Sequence, residues 1–159
     1  TILVNTFTVL SSPQGLVETT TVPGVIKFTP NEGETGCCAM ILYQVGDTND
    51  CVGTATIKVM INMPPTAVDD YAQTDPNTPV NIPVLANDSP GSGSFNYGSL
   101  VVTSGPVHGS TMVTGSTVEY TPDLDFCGTD TFMYEICNTL SLCATASVFV
   151  TVYCPPTAN

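Results

Sequence analysis

Hydrophobic and polar residues alternate along most of this chain with a period of two. The pattern is clearest near the end of the sequence, over residues 129–137 and 144–153. A period of two places alternate side chains on one face of a β-strand. We therefore expect one face of these two strands to be buried, formed by Phe132, Tyr134, Ile136, Val148, Val150 and Val152.

The same alternation predicts further strands upstream and no helix. In the second part of the chain the predicted strands are 70–74, 80–85, 99–104, 110–114, 117–121, 129–137 and 144–153. Turn-forming residues separate them, as at Gly115-Ser116. Seven short strands in about 90 residues are typical of an immunoglobulin-like β-sandwich. The chain has no Trp, so the buried Trp of antibody domains is missing.

An internal repeat indicates two related domains. Pro64-Pro65-Thr66-Ala67 returns as Pro155-Pro156-Thr157-Ala158, a spacing of 155 − 64 = 91 residues. That length corresponds to one domain with its linker. The same offset predicts the inward face of the first domain, formed by Ile41, Tyr43, Val45, Ile57, Val59 and Ile61.

The repeat sets the domain boundaries. We expect a partial domain over 1–63, a complete domain over 64–154 and the start of a linker to a next repeat at 155–159. Thr1 aligns near Ser94, so about 94 − 64 = 30 residues of early strands are missing from the first domain. The expected reason is that only part of a longer polypeptide is represented. The alternative is that a neighbouring chain donates the missing strands.

Composition excludes some functions. Lys plus Arg number 2 against 14 Asp plus Glu, giving a net charge of −12. Such a surface cannot neutralise a phosphate backbone, so nucleic acid is excluded as a partner. No apolar run is long enough to span a bilayer. Seven Cys indicate an oxidising compartment, and their spacing, with His108 as the single His, does not suit zinc.

An ordered set of motifs then identifies a family resemblance. The residues in question are Pro64-Pro65-Thr66-Ala67-Val68-Asp69-Asp70, Val84-Leu85-Ala86-Asn87-Asp88, Pro106-Val107-His108-Gly109, Tyr120-Thr121-Pro122 and Gly128-Thr129-Asp130-Thr131-Phe132 with Tyr134. In this order they resemble bacterial cadherin-like or immunoglobulin-like tandem repeats. The Cys-flanked ending resembles the repeats of Bacteroidetes-type adhesins and gliding proteins.

The resemblance implies an all-β chain of tandem immunoglobulin-like (cadherin-like) β-sandwich domains, the first one incomplete. It implies a structural or adhesive stalk or filament segment of a large secreted surface protein, located extracellularly. Its expected partners are neighbouring repeats, copies of the same protein and surface glycans. Pro-Pro linkers favour a semi-rigid rod with domains end to end. The rival function is a carbohydrate-binding accessory module of a secreted enzyme.

Catalysis is not expected, because no nucleophile elbow, phosphate loop or zinc-protease motif is present. His108 lies in a predicted turn, where a structural role is expected rather than a general base. Asp123, Asp125 and Asp130 can be interpreted as an acid pair for glycoside hydrolysis. The interpretation we favour makes them fold elements of the repeat.

Two kinds of ligand remain open. Related repeats bind calcium near domain junctions, and Asp69, Asp70, Asn87 and Asp88 are candidate oxygen donors. The acidic run that usually follows this segment is replaced by Ser and Gly residues, and the Asp pair can equally be a solvated linker. No other cofactor is expected. For sugars, Phe95 and Tyr97 form the one aromatic loop cluster, which can also fold back onto the sandwich end.

The last two strands also predict disulfides. If Cys137 faces Cys143 in an antiparallel hairpin, opposite residues sum to 280, and Cys127 then lies opposite Tyr153, next to Cys154. We expect both pairs to be bonded. Three cysteines remain, Cys37, Cys38 and Cys51. We expect Cys51 and one of the adjacent pair to bond to neighbouring segments or chains.

Overall fold

A computed structural model describes residues 6–20, 24–32, 34, 38–49 and 51–154. Within those residues the regular elements are β-strands and one 3₁₀ turn, so the all-β immunoglobulin-like fold is confirmed. None of the described residues forms a helix long and apolar enough to cross a membrane. The chain divides into two units, Thr1–Asn62 (unit 1) and Met63–Asn159 (unit 2).

Unit 1 contains five strands among its described residues. They are β1 (Thr6–Ser11), β2 (Gly15–Thr19), β3 (Ile26–Pro30), β4 (Cys38–Gly46) and β5 (Val52–Met60). One sheet has the order β1-β4-β5, and β2 pairs with β3 in a separate hairpin. Ala39 and Ile41 are fully buried, and Tyr43 stacks on Phe7 of the neighbouring strand with ring centroids 5.2 Å apart.

Unit 2 contains seven strands and the 3₁₀ turn. They are β6 (Asp70–Thr74), β7 (Val80–Ile82), the turn Tyr97–Ser99, β8 (Val101–Ser104), β9 (Gly109–Thr114), β10 (Thr117–Pro122), β11 (Gly128–Cys137) and β12 (Cys143–Val152). One sheet has the order β6-β12-β11-β8, and the other β7-β10-β9. β6 pairs with β12 in parallel, whereas the other pairs are antiparallel.

The core of unit 2 lies between its two sheets. The six residues predicted for the inward face of β11 and β12 are each at most 1% exposed, which confirms that part of the face pattern. Met133, one position out of phase, is 39% exposed. Val118 and Tyr120 of β10 are fully buried opposite them. The alternation therefore predicted the correct register, because a shift of one residue would have reversed every side chain.

Two predicted strand bounds in unit 2 are wrong by more than one residue. The second strand ends at Ile82 rather than residue 85, because Pro83 has no N–H to donate and the chain turns there. In that turn the N–H of Val84 bonds the carbonyl of Ile82. The third strand begins at Val101 rather than residue 99, because residues Tyr97–Ser99 form the 3₁₀ turn, which the prediction of no helix also missed.

The central sheets of the two units share strand order and an irregularity. β1 pairs with β4 as β8 pairs with β11, and in each case the register shifts beside the central Tyr. Val9 lies opposite Tyr43 in unit 1, and Val102 lies opposite Tyr134 in unit 2. A bulge of this kind adds a residue and bends the strand. The same local geometry thus occurs in both units, although unit 1 has fewer strands among its described residues.

Candidate functional site

The carboxylate of Asp130 fastens the Pro106–Gly109 turn of unit 2 to β11. One oxygen accepts hydrogen bonds from the N–H groups of Val107 (3.0 Å) and Thr131 (2.9 Å). The other accepts from the N–H of His108 (2.8 Å) and the hydroxyl of Tyr120 (3.1 Å). Asp130 is only 4% exposed. Every oxygen of this acid is therefore occupied by the fold.

The electrostatics of Asp130 agree with that structural role. Burial acts to raise the pKa of its carboxyl, but the N–H bonds from Val107, His108 and Thr131 outweigh burial and hold the pKa below its usual range. The pKa of Tyr120 is raised, first by burial and then by its bond to this carboxylate. Asp130 is ionised at neutral pH and does not supply a proton.

A second carboxylate, Asp88, fastens the start of unit 2 to its core. It accepts the N–H of Val68 at 2.8 Å and the hydroxyl of Tyr134 at 2.8 Å. The same hydroxyl lies 2.8 Å from the carbonyl of Val84. The amide of Asn87 donates to the carbonyls of Val68 and Asp69, at 3.3 and 3.2 Å. Motifs distant in sequence are therefore joined by their own polar side chains.

Asp70 differs from its neighbours because one of its oxygens is buried without a hydrogen-bond partner. Burial raises the pKa of this carboxyl to about 6, and the negative charge of Asp88 adds to the effect. The carboxylate of Asp69, by contrast, accepts a hydrogen bond from the N–H of Ser147 at 2.8 Å. A carboxyl with a pKa near 6 responds to pH in a range that most Asp residues do not reach.

The calcium donors predicted from sequence lie near one another but do not converge. Calcium takes six to eight oxygen ligands. Within the described residues, the one group of three potential ligand side chains close enough to share an ion is Glu135 with Cys137 and Cys143, and these two cysteines are bonded to each other. One oxygen of Asp69 and both oxygens of Asp88 accept hydrogen bonds within the fold, and Asp70 contributes one free buried oxygen. Calcium at Asp69, Asp70, Asn87 and Asp88 therefore stays a prediction.

Two disulfides hold the β11–β12 hairpin at both ends. Cys137 is bonded to Cys143 beside the hairpin turn, with Cα atoms 3.9 Å apart; we name this the hairpin disulfide. Cys127 is bonded to Cys154 at the opposite end, with Cα atoms 4.9 Å apart; we name this the exit disulfide. These are the two pairs named from the sequence. The register follows the same arithmetic, since Gly128 lies opposite Val152.

The remaining cysteines divide differently. Cys51 is a free, exposed thiol just before β5. Cys38 is disulfide-bonded, and Cys37 lies outside the described residues. The predicted bonds from Cys51 and from one of Cys37 and Cys38 to neighbouring segments or chains stay predictions.

Asn138 is a structural residue that the sequence reasoning missed. It is 1% exposed, and its amide donates to the carbonyls of Met63 (3.0 Å) and Pro90 (3.2 Å). Its oxygen accepts the N–H groups of Leu140 (3.0 Å) and Leu142 (3.1 Å). The first residue of unit 2 is thereby fixed to the hairpin turn. An Asn directly after a strand and before a turn was the one available signal.

The residues weighed for catalysis do not form a constellation. His108 is exposed and stacks on Phe126 with ring centroids 4.5 Å apart. Asp125 accepts a hydrogen bond from the side-chain amide of Asn77 at 3.2 Å. Asp130 is bonded to the turn and to Tyr120, as described above. Asp123 is exposed in the turn after β10. Asp130, whose oxygens accept four hydrogen bonds, is therefore not free to act in an acid pair.

Two aromatic pairs remain on the surface of unit 2. Phe95 packs against the core while Tyr97, 57% exposed, lines a shallow recess with Pro83 and Leu85. On the outer face of the β6-β12 sheet, Tyr71 stacks on Phe149 with centroids 5.3 Å apart. Tyr71 is 79% exposed. This second pair was not predicted from the sequence, because it arises only from the parallel register of two distant strands.

The fold, its buried polar hydrogen bonds and its two disulfides define a disulfide-bonded immunoglobulin-like β-sandwich. The bacterial Ig domain family matches residues 62–151, more than half of the chain, and the chain belongs to that family. No curated protein matches it in sequence. Bacterial Ig domains are generally non-catalytic, and both these domains and disulfides are typical of extracellular proteins.

Solved structures show similarity at low identity. An endo-fucoidan hydrolase of glycoside hydrolase family 107 is 16% identical, with a TM-score of 0.39, covering 95% of this chain and 24% of that one. Extracellular cadherin domains 3–6 of protocadherin gamma B2 are 14% identical, with a TM-score of 0.40, covering 92% and 41%. The chain spans less than half of either structure.

Proposed function

We propose that this chain is a structural segment of a secreted bacterial surface stalk or filament built from repeated sandwiches. The observation that carries the proposal is the way unit 2 fixes its two chain ends. Asn138 holds Met63, where the chain enters, beside the hairpin turn. The exit disulfide holds Cys154, where the chain leaves, at the other end of the same hairpin. Ten-residue strands separate these ends by about 30 Å.

This arrangement suits a module that transmits tension. A pull on the C-terminal side of Cys154 passes through the exit disulfide to Cys127 and does not peel β12 from its neighbours. β12 lies between β6 and β11, so the hairpin that forms the centre of the sheet stays intact under load. At the other end, the N–H and carbonyl of Met63 both bond Ser92. The entry is thus held by three hydrogen bonds to Asn138 and Ser92.

Single-molecule stretching of the whole chain tests the proposal. The exit disulfide shields 27 residues from extension, so reduction is expected to lengthen the unfolding step of unit 2 by about 95 Å, at about 3.5 Å per residue. A control lacking only the hairpin disulfide keeps the short step, because that bond lies inside the shielded loop. Equal step lengths before and after reduction would contradict a tension path through Cys127 and Cys154.

A stalk or filament of this kind has other copies of the same chain as partners. Cys51 is exposed and free, and a disulfide from its thiol to a neighbouring copy would reinforce a filament covalently. Non-reducing gels of the oxidised protein are expected to show a dimer that Cys51→Ser abolishes. A dimer that persists in Cys51→Ser would assign the contact to other residues.

The alternative function, a carbohydrate-binding accessory module, is favoured by one observation. The exposed Tyr71 stacks on the partly buried Phe149 on the outer face of the β6-β12 sheet, where a sugar ring can stack on the Tyr71 ring. A glycan array with the whole chain distinguishes the two functions. Binding that Tyr71→Ala removes would support the accessory module. The stalk proposal expects no glycan signal that depends on this residue.

The predicted calcium site is tested separately. If Asp69, Asp70, Asn87 and Asp88 bind calcium, adding calcium raises the melting temperature of unit 2, and Asp70→Asn abolishes the shift. Magnesium at equal concentration is the control for ionic strength. An unchanged melting temperature across millimolar calcium would remove calcium from these residues.

A further inference from the structure

The two sheets of unit 2 end in four edge strands, β6, β7, β8 and β9. An edge strand presents unpaired N–H and C=O groups to any strand that approaches, and proteins block such edges with short strands, bulges, charges or Pro. Three of these four edges are blocked in one of these ways. β7 has three residues and is followed by Pro83; β8 has four residues and a register shift beside Met133; β6 begins at Asp70 and is followed by Asp75.

β9 has none of these blocking features. It pairs with β10 over six consecutive residues without a bulge, and none of the described strands pairs with its other side. The run 109–118 contains no charged residue and no Pro. The bacterial Ig match extends over residues 62–151, so β9 lies well inside the matched domain. Exposed apolar side chains surround this edge, on β8, on β9 and in the turn between them: Val101 (47%), Val107 (78%), Met112 (58%) and Val113 (36%).

The hairpin turn determines which backbone groups of β9 face outward. A two-residue turn, Gly115-Ser116, joins β9 to β10. In such a hairpin the pair beside the turn exchanges both backbone hydrogen bonds, and the pairs beyond it alternate. Counting from Thr114, the even-numbered residues of β9 bond β10, and residues 109, 111 and 113 direct their N–H and C=O groups to the open edge. These groups are available to another strand.

The equivalent strand of unit 1 carries a charge. β2 pairs with β3 as β9 pairs with β10, with Phe28 in the place of Tyr120. In that alignment Glu18 and Met112 are equivalent, because each comes one residue after the partner of that aromatic residue. Glu18 forms an ion pair with Lys27 at 3.2 Å. A charged side chain on an edge opposes pairing with further strands, and unit 2 has an exposed Met in its place.

Charge and symmetry indicate a second copy of this chain as the partner of β9. Unit 2 carries nine Asp and Glu residues and no Lys or Arg, so two copies repel each other except where their surfaces are neutral. The run 109–118 is such a surface. A second β9 also offers the same unpaired backbone groups. Two identical strands that pair antiparallel are related by a two-fold axis, which closes the assembly at a dimer.

We propose that β9 is a dimerisation edge, at which two copies pair antiparallel with Thr111 of one copy opposite Thr111 of the second. Opposite residues then sum to 222, and this register places residue 109 opposite residue 113 of the other copy. It therefore uses all the edge-facing groups of both strands, and the two three-stranded sheets become one sheet of six strands. The contact is lateral and does not involve the tension path through the exit disulfide, so either proposal can fail without the other.

A pair of cysteine variants tests the register. Both variants carry Cys51→Ser, which removes the free exposed thiol. One also carries Ser110→Cys and the other Met112→Cys, two exposed positions that lie opposite each other in the proposed dimer. Each variant paired with itself would hold its two cysteines two residues out of line, too far apart for a disulfide.

Oxidation of an equal mixture of the two variants is expected to give the mixed disulfide dimer in at least about tenfold excess over either homodimer. A statistical mixture of the three dimers would overturn the proposal. An excess of either homodimer would also overturn it, because the strands would then pair in another register or not at all.

Proline substitutions test the backbone contact, in chains that all carry Cys51→Ser. Thr111→Pro removes an N–H that faces the open edge and keeps the bonds to β10, a position where edge strands accept Pro. Asn81→Pro is the matched control, because it removes an outward N–H from β7 at the opposite edge of the same sheet. By sedimentation equilibrium, Thr111→Pro is expected to weaken dimerisation at least about tenfold, and Asn81→Pro less than about twofold. Circular dichroism checks that both variants are folded.

Met112→Glu is a second variant that keeps every backbone group of β9. It introduces the acid that unit 1 carries at the equivalent position, and dimerisation is expected to fall at least about tenfold at low salt. In 1 M salt, where charges are screened beyond about 3 Å, much of the loss is expected to be recovered. A single strand pair is a small interface, so dimerisation of the parent chain is expected between about 10 µM and 1 mM. A parent chain that stays monomeric throughout this range, or dimerises no better than Thr111→Pro and Met112→Glu, would overturn the proposal.

Discussion

Asp130→Asn tests whether this motif residue stabilises unit 2 by hydrogen-bonding the Pro106–Gly109 turn to β11. The substitution keeps the size of the side chain and removes its charge. Asn offers one acceptor oxygen, which can retain the bonds from Val107 and Thr131. Its NH₂ group then faces the N–H of His108 and the hydroxyl of Tyr120. The hydroxyl can rotate and accept, but the N–H of His108 is left unpaired.

The expected loss of stability follows from these bonds. A hydrogen bond to a charged group contributes about 1.5–3 kcal/mol, and His108 loses one. The two retained bonds fall from charged to neutral strength, at a cost of about 0.5–1 kcal/mol together. Asp130→Asn should therefore lower the free energy of unfolding of unit 2 by about 2–4 kcal/mol. That is a large fraction of the stability of a small domain.

Urea unfolding of the whole chain measures this loss. Five of the six Tyr residues follow residue 63, so tyrosine fluorescence reports mainly on unit 2. Asp123→Asn is the matched control, because Asp123 is exposed in the next turn. The folded pKa of Asp130 is depressed, so its contribution is present above the unfolded pKa of about 3.9 and is lost as pH falls through the folded value. A loss below about 0.5 kcal/mol at pH 7 would refute the reasoning.

Three further outcomes are expected, all measured by urea unfolding. The folded pKa of Asp70, about 6, is raised, so the contribution of this residue to stability is most favourable below the unfolded pKa of about 3.9 and is lost as pH rises through 6. Asp70→Asn should therefore gain about 1–2 kcal/mol over wild type at pH 7.5 and little at pH 4. Equal gains at both pH values would contradict this. Asn138→Ala should cost about 2–4 kcal/mol, because the N–H groups of Leu140 and Leu142 lose their acceptor, and exposed Asn81→Ala serves as control. Removing the exit disulfide, which closes a loop of 27 residues, should lower the free energy of unfolding by about 3.5 kcal/mol. Removing the hairpin disulfide, which closes a loop of 6 residues, should lower it by about 2 kcal/mol. The reverse order would refute the loop-closure argument.

The local alternation of β11 and β12 was sufficient to predict their fold. Alternation sets which face is buried, and the position of Cys137 relative to Cys143 sets the hairpin register. These features depend on neighbours in sequence and on a period of two, which are readable without coordinates. The fold class, the inward residues of unit 2 and the two disulfide pairs follow from that information.

Tertiary structure decided the features that join distant segments. The parallel pairing of β6 with β12 brings Tyr71 onto Phe149 across nearly eighty residues, and no local pattern encodes that contact. The roles of Asp88 and Asp130 likewise depend on which N–H groups the fold brings to them. The raised pKa of Asp70 depends on burial and on a charge eighteen residues away, at Asp88.

The strand pairing of unit 2 shows the same division. The sequence determined that β10 and β12 are apolar on one face. Only the tertiary structure showed that residues 70–82 cover one edge of each sheet and in which direction each strand runs. Sequence periodicity reports how each strand faces the core. Which strands become neighbours is decided by non-local pairing, because backbone hydrogen bonds between strands are nearly independent of side-chain identity.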